Sequence, residues 1–182
     1  DLNSETIKEW ERKQILITSN PMRAKIGPMQ LKDGNFSGSK FLIKAEELIV
    51  RNSPPARYHI QGEMNQDGSI LAHDIYGKLK YSEVRGSFRQ NWSNLDFRFL
   101  LEGHCMPTEI NPWLKDWWDV IWQDFSWDEE IPYGDFDIKG QWLNRKKRTR
   151  TYGTVEVSNI SYRELPLEKG SLKVIVDEKK TR

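Results

Sequence analysis

The side chains best suited to chemistry in this 182-residue chain are three histidines and one cysteine. His59 and His73 fall in segments that alternate like β-strands, and His104 directly precedes Cys105. Adjacent residues on a strand point to opposite faces, whereas zinc sites use spaced ligands such as Cys-x-x-Cys or two histidines one helical turn apart. We therefore predict no metal site and no catalytic role for these four side chains.

Other enzyme signatures are missing or lack their structural context. Residues 34–38 (GNFSG) are glycine-rich, but no strand-to-helix pattern surrounds them, so they are not predicted to bind a phosphate. No Gly-x-Ser-x-Gly nucleophile motif occurs. A facing carboxylate pair of the glycosidase kind stays an open alternative, because sequence spacing does not test it. The sequence favours a protein that is not an enzyme and uses no cofactor.

Residues 145–150 (RKKRTR) form a basic run at a predicted hairpin tip. One interpretation of this run is a contact with lipid phosphate or nucleic acid, and the other is a solvated loop. Several acidic residues precede this run closely and offset its charge: Asp124, Asp128, Glu129, Glu130, Asp135 and Asp137. The formal net charge of the chain is +1, so no global attraction to nucleic acid is expected. We interpret the run as a solvated loop and predict no nucleic-acid partner.

The composition is typical of a folded domain with a polar surface. Charged residues make up 30% of the chain, but aromatic residues reach 12%, which separates it from disordered proteins. A single cysteine excludes an intrachain disulfide and is compatible with the cytoplasm and with a bacterial periplasm. No apolar run reaches 18 residues, so no transmembrane segment is predicted. A start at Asp1 without a signal peptide is expected of a mature form or an excised fragment.

Hydrophobic periodicity divides the chain in two. Residues 4–16 have the spacing of a short helix, and residues 1–29 are predicted to be this helix and a linker. From residue 30 to residue 182 the period is two, with turn residues about every ten positions, which is typical of an antiparallel meander. The predicted fold class is mostly β: an amphipathic antiparallel sheet, curved or closed as a sandwich, with this short N-terminal helix and one central aromatic amphipathic helix.

Two local features refine the predicted strands. A one-residue phase slip between Ala45 and Leu48 indicates a bulge or turn, and residues 65–68 (NQDG) predict a tight turn in which glycine supplies a positive φ. After that turn, simple alternation predicts that Leu71, His73 and Ile75 share one face.

A pattern of aliphatic, glycine and apolar residues at alternate positions occurs four times: Ile60-Gly62-Met64, Ile75-Gly77-Leu79, Val84-Gly86-Phe88 and Ile138-Gly140-Trp142. Alternate residues line one face of a strand. Glycines there would either leave a shallow channel for an acyl chain or relieve crowding where a twisted sheet meets its own core. The groove of the first alternative would be lined by Ile60, Met64, Leu79, Phe88, Phe97, Phe99, Ile138, Trp142, Leu172 and Val174.

Residues 111–126 interrupt the β pattern and predict an amphipathic helix, with Asn111 as N-cap and Pro112 in the first turn. Its apolar stripe is made of Trp113, Trp117, Trp118, Ile121, Trp122 and Phe125. Such a stripe does not stay in water, so it forms core or a lid over the sheet, binds a partner, or lies in a membrane interface. The acidic polar side disfavours anionic lipid, and core or lid is the preferred interpretation.

Three segments together carry a family resemblance: residues 74–81 (DIYGKLKY), residues 103–118 with Asn-Pro-Trp at 111–113, and residues 153–162 (GTVEVSNISY). Through them, the chain from residue 58 to residue 176 resembles the repeats of AsmA-like and TamB-like bacterial envelope proteins. The resemblance implies a long curved sheet with an apolar inner face, anchored at the inner membrane and involved in lipid traffic or outer-membrane upkeep. It carries over no catalytic residues. The family's membrane anchor is missing from this sequence, and the chain is shorter than the family's proteins.

Three functions follow as hypotheses. The first is a non-catalytic module of the bacterial cell envelope, in the periplasm, that binds phospholipid, fatty acid or another apolar ligand; a cytoplasmic location stays open. The second is a structural interaction module, a closed β-sandwich with a helix, whose partners are other envelope proteins. The third is a carbohydrate-binding β domain, suggested by eight Trp. It needs exposed coplanar rings, and the helical spacing of five Trp from residue 113 to residue 127 argues against it.

Overall fold

The computed structural model describes residues 17–19, 22–28, 31–32, 35–36, 38–50, 53–113, 120, 122–127, 130–142 and 149–177. Their strands are β1 (Ile17–Ser19), β2 (Met22–Ile26), β3 (Leu31–Lys32), β4 (Asn35–Phe36), β5 (Ser39–Val50), β6 (Ala56–Met64), β7 (Ser69–Lys78), β8 (Glu83–Asn91), β9 (Asp96–His104), β10 (Phe125–Trp127), β11 (Tyr133–Gln141), β12 (Arg150–Tyr162) and β13 (Leu165–Asp177). A short helix α1 (Pro107–Ile110) continues into a 3-10 turn (Asn111–Trp113).

Eleven of these strands form one antiparallel sheet. Strands β5 to β9 pair in sequence order as a meander, and β11, β12 and β13 extend it. At one edge, β1 and β2 pair with different parts of β5, while β10 pairs with the end of β12. Strands β3 and β4 form a separate hairpin. The prediction of a mostly β, antiparallel fold is confirmed, and eleven of the described strands form one open sheet rather than a sandwich.

The buried apolar core of the described residues is small. Its members are Ala45, Ala56, Ala72, Phe97 and Ile160. Most other apolar side chains of the sheet are half-buried, and several large ones are exposed, such as Leu172 at 59%. A single sheet layer explains this distribution, because one face of a strand is buried only when a second layer packs on it.

The turn and the bulge predicted around β5 and β6 are confirmed. The register of β5 against β6 shifts between Ala45 and Leu48, and Gly68 has a φ of 75°. Strand β7 contains a second bulge, which the sequence analysis missed: Ile75 and Ala72, rather than Ile75 and His73, point to the same face. The prediction that Leu71 shares this face is therefore wrong.

The predicted limits of the aromatic helix are also wrong. Helix α1 begins at Pro107, and Asn111 is its C-cap, with the Asn111 N–H donating to the Pro107 carbonyl. Within the predicted range Val120 and Trp122 are helical, whereas Phe125 lies in β10 and pairs with Tyr162. Trp117, Trp118 and Ile121, which were predicted to lie in the helix, are outside the described residues. None of the described helices is long and apolar enough to cross a membrane.

The predicted N-terminal helix over residues 4–16 lies outside the described residues. The predicted linker that follows it contains two strands of the main sheet. Strand β2 pairs with β5 from Met22↔Ala45 to Ile26↔Phe41, and β1 pairs with the end of the same strand. Residues on both sides of the predicted boundary at residue 29 thus contribute to one sheet.

Candidate functional site: an apolar sheet face

One face of the sheet carries three unbroken rows of uncharged residues. Directly opposite residues in antiparallel strands point to the same face, so the strand register traces each row from β2 to β13. The first row is Ala24, Ile43, Ile60, Ile75, Gly86, Leu101, Phe136, Gly153 and Val174. The second is Ile26, Phe41, Gly62, Ala72, Phe88, Phe99, Ile138, Thr151 and Val176. The third is Met22, Ala45, Tyr58, Gly77, Val84, Gly103, Gly134, Val155 and Leu172. We call this surface the apolar face.

The absence of Asp, Glu, Lys and Arg from all three rows is a strong pattern in a chain that is 30% charged. The bulge in β7 is essential to it. Without the extra residue near His73, the chain before the bulge would be out of phase and Leu71 would replace Ala72 on this face. Alternation along single strands predicted parts of each row, but only the pairing register shows that the rows are continuous.

The sheet brings together most of the residues that were predicted to line a groove. Ile60, Phe88, Phe99, Ile138, Leu172 and Val174 lie in the three rows. Met64 and Phe97 lie in a shorter fourth row that also contains Ser39, Ile70, Gln90 and Gly140. Trp142 follows β11 and joins the group through its ring. Leu79 is the exception, since it lies in the turn after β7 and donates its N–H to the Ser82 carbonyl.

Aromatic rings form a continuous strip on the apolar face. The ring centroids of Phe88 and Phe99 are 4.5 Å apart, those of Phe97 and Phe99 are 5.9 Å apart, and those of Phe97 and Trp142 are 4.3 Å apart. Phe97 is buried at the centre of the strip, while Trp142 at its end is 43% exposed. Contacts of this kind stabilise the sheet beyond simple area burial and leave one end of the strip accessible.

Three of the four glycines of the repeated pattern, Gly62, Gly77 and Gly140, lie against rings of neighbouring strands. A Cβ atom added at Gly140 would be 2.8 Å from Cζ of Phe97, and one added at Gly77 would be 3.1 Å from the Tyr58 ring. At these positions, protein side chains fill the space that was considered for an acyl chain. The alternative that the glycines relieve crowding is therefore favoured. The candidate site is the broad apolar face itself, not a channel along its glycines.

The two edges of the apolar face are the most exposed part of it. On β2, Met22 is 61% exposed and Ile26 is 64% exposed, and on β13 Leu172 is 59% exposed. Between these edges most members of the rows are half-buried. Exposed apolar side chains that continue such rows are characteristic of a site that binds an apolar ligand or another protein.

The opposite face of the sheet is charged and contains an open cleft of about 600 Å³ at one end of β7, β8, β9 and β11. Glu83 lies 3.3 Å from the Nζ atom of Lys78 and 3.5 Å from Arg85, so the cations of the cleft pair with its own carboxylates. Tyr133 donates its hydroxyl hydrogen to Glu102 at 3.3 Å. Desolvation, and then the charge of Glu102, raises the pKa of Tyr133. The charged groups of this cleft already bind one another.

Glu109 in α1 is a buried carboxylate that the sequence analysis did not single out. Its oxygens accept hydrogen bonds from the N–H of Tyr81 at 3.0 Å and from the N–H of Ser82 at 2.8 Å. Desolvation, and secondarily the charge of Glu109, raises the pKa of the Cys105 thiol to about 11. At neutral pH this thiol is protonated. Glu109 thus holds the turn after β7 against α1.

Part of the predicted aromatic stripe packs on the tip of the β12–β13 hairpin. The Phe125 ring lies 5.1 Å from Tyr162 and 5.6 Å from Trp127, and Trp127 makes an edge contact of 6.2 Å with Trp122. Ile160, at 3% exposure, lies in the strand segment that pairs with β10. Trp122 and Phe125 are half-buried there, and the core or lid interpretation stays a prediction.

Among the residues described, no group of His, Cys, Asp and Glu is arranged to bind a metal ion. Comparison of the chain with protein-family models, with curated proteins and with solved structures gives no match in any of the three. The resemblance to AsmA-like and TamB-like proteins therefore stays a prediction.

Proposed function

We propose that this chain is a non-catalytic β module that binds the acyl chains of phospholipids or fatty acids along its apolar face. The observation that supports the proposal is the continuity of three uncharged rows from β2 to β13, with exposed apolar side chains at both ends. A placement in the bacterial envelope rests on the sequence resemblance alone.

The dimensions and energetics of the apolar face suit a long apolar chain. Nine strands at about 4.8 Å spacing make rows of roughly 38 Å, measured across the sheet. Each methylene that leaves water for this surface contributes about 0.8 kcal/mol. Because the half-buried row residues are already ordered by strand pairing, binding does not have to order the protein surface, and little of that gain is lost.

Native mass spectrometry of the protein, purified without detergent, tests the proposal directly. We expect stoichiometric phospholipid or fatty acid on the protein, identified after organic extraction. A protein that is free of lipid on purification and remains so after incubation with phosphatidylglycerol–phosphatidylethanolamine liposomes would contradict the proposal.

Two neighbouring substitutions supply a matched comparison. Ile60 lies in the first row and is half-buried, whereas Gln61 is exposed on the opposite face. Ile60→Glu should remove bound lipid because it places a charge in the row, and Gln61→Glu should retain it. Circular dichroism checks that both variants are folded. Equal lipid occupancy in two folded variants would rule out the apolar face as the binding surface.

Should Ile60→Glu fail to fold, cross-linking of the unmodified protein gives an independent answer. A fatty acid that carries a photoreactive diazirine should attach to peptides from the rows, such as those that contain Phe99 or Ile138. Attachment confined to the charged cleft near Tyr133 would contradict the proposal.

A second candidate function is a protein-interaction module within a larger assembly. One observation favours it: β13 is a long strand that pairs with β12 along one side and has no partner on the other side in the described chain. This function does not require lipid, and its partner can be specified further from the charges of the strand.

A further inference from the structure

Strand β13 has the features of an open docking edge. It extends over 13 residues and pairs with β12 from Tyr162↔Leu165 to Arg150↔Asp177. No described strand pairs with its outer side. Backbone N–H and C=O groups of a strand alternate between its two sides, so roughly six residues present unpaired groups outward. Proteins usually shorten, cover or bend such an edge, or place Lys and Pro on it. Strand β13 remains long and uncovered in the described chain, with Pro166 near its start and Lys169 and Lys173 along it.

Apolar side chains line this edge on both faces. Leu165 is 66% exposed, Ile175 is 69% exposed and Val176 is 44% exposed. A partner strand added beside β13 would bury these side chains in the same step in which it binds the free backbone groups. Both kinds of contact operate in recognition by strand addition.

The charges of β13 indicate what the added strand must contain. Lys169 and Lys173 are exposed and, four residues apart on a strand, point to the same face. Within the described chain neither forms an ion pair. Their register partners on β12 are Ser158 and Thr154, which are neutral, and Glu156 lies between these two on the same face, opposite Ser171. A partner strand with carboxylates four residues apart would place them opposite these two lysines.

Several ways of placing a second copy of this chain on the same edge bring like charges together. In head-to-tail addition, β2 of the copy would bring Arg23 and Lys25 to the face that carries Lys169 and Lys173. In a two-fold pairing of β13 with itself, a centre at Ser171 sets Lys169 opposite Lys173, and a centre at Lys173 sets that residue opposite itself. Like charges directly opposite destabilise strand pairing. A centre at Gly170 sets both lysines opposite neutral residues, so the experiment below also measures self-association.

We propose that β13 binds, by strand addition, an extended segment of a partner protein that carries acidic residues at every fourth position on one face and aliphatic residues on the other. The proposal does not depend on lipid binding, because it uses the edge of the sheet and not its apolar face. The two lysines are four residues apart whichever way the partner segment runs. The segment therefore adds either parallel or antiparallel to β13.

A fluorescein-labelled peptide, Val-Glu-Val-Ser-Val-Glu-Val-Thr, is the probe. Fluorescence anisotropy should show saturable binding, and hydrogen exchange should show protection of amides in β13. The double variant Lys169→Glu/Lys173→Glu should weaken binding by about tenfold and should bind the peptide in which both Glu are Lys. The matched control is Lys25→Glu on the opposite edge of the sheet, which should leave the affinity unchanged.

Three outcomes of the peptide experiments would overturn the proposal. They are equal affinity of the double variant for the two peptides, amide protection confined to strands other than β13, and a loss of binding in Lys25→Glu as large as in the double variant. Analytical ultracentrifugation of the chain alone completes the test. A dimer that is lost in the double variant would identify β13 as a contact between copies and would contradict the acidic partner.

Discussion

Ser82 donates a hydrogen bond of 2.6 Å from its Oγ to Oε2 of Glu109, which lies 27 residues further along the chain. The same hydroxyl oxygen accepts the N–H of Met106 at 2.8 Å. Ser82 is fully buried and Glu109 is 6% exposed, so water has little access to replace these bonds. Together they fasten the turn after β7 to the start of α1.

Replacement of the buried carboxylate should show how much this contact stabilises the fold. In the unmodified protein the donors on Tyr81 and Ser82 bind both carboxylate oxygens of Glu109. Glu109→Gln leaves them one side-chain oxygen, and we expect the free energy of unfolding to fall by about 2–3 kcal/mol. Urea denaturation measures this value. Glu156→Gln, at an exposed carboxylate of β12, should change it by less than about 0.5 kcal/mol. Equal effects in the two variants would show that the Glu109 contacts do not stabilise the protein.

The high pKa of Cys105 predicts slow alkylation. With a thiol pKa of about 11 in the folded protein and 9.0 as the ordinary value, the thiolate fraction at pH 8 falls about 100-fold. Iodoacetamide should therefore label the native protein at least that much more slowly than the protein in guanidinium, as followed by mass. Labelling at the same rate in both states would contradict the burial of the thiol.

The same shift predicts how stability changes at alkaline pH. The folded-state pKa of Cys105 is raised, so its contribution is complete below pH 9, the unfolded value, and is lost as the pH rises toward 11. Cys105→Ser should lack this component of the pH dependence. The unfolding free energy of each protein is measured from pH 8 to pH 11. If it changes by the same amount in Cys105→Ser and in the unmodified protein, the contribution of the Cys105 thiol is excluded.

Arg98 and Asp137 form a two-pronged ion pair on the charged face, with N–O distances of 2.8 and 3.0 Å. The hydrogen bond from Arg98 is the main cause that lowers the pKa of Asp137. The contribution of the pair is thus present above the unfolded pKa and is lost as the pH falls through the folded value. Because Arg98 is half-exposed, Asp137→Asn should cost only about 0.5–1 kcal/mol at pH 7. The difference from the unmodified protein should vanish near pH 2, and a difference that grows on acidification would contradict this account.

Gly140 and Phe97 should behave as a coupled pair. The added Cβ of Gly140→Ala meets the Phe97 ring, and we expect a loss of about 1–3 kcal/mol in unfolding free energy. In a Phe97→Ala background the ring is gone, so the same glycine substitution should cost much less. A double-mutant cycle measures the coupling, and additive effects would mean that the ring does not require the glycine.

The strands were predictable because their information is local. Alternation at residues such as Phe97 and Phe99, and the turn that ends at Gly68, depend on neighbours a few positions away. The residues of the candidate site were predictable for the same reason. Six of the ten predicted groove residues lie in the three rows, since a residue that alternates into one face of a strand remains on that face in the sheet.

Features that depend on distant partners were missed. Phe125 has helical spacing with the tryptophans before it, but its pairing with Tyr162 places it in a strand. The bulge in β7 reflects the register of two neighbouring strands, and the sequence near His73 contains no glycine or proline to mark it. The contact between Ser82 and Glu109 spans 27 residues and has no local pattern.

The order in which the strands pair has a consequence for evolution. From β5 to β9 each strand contacts the strand next to it in sequence, as successive units do in repeat proteins. Gain or loss of a hairpin would change only the interfaces on either side of it and would leave the other pairings intact. Mutation can therefore adjust the width of the sheet in small steps, and the extent of the apolar face changes with the number of hairpins.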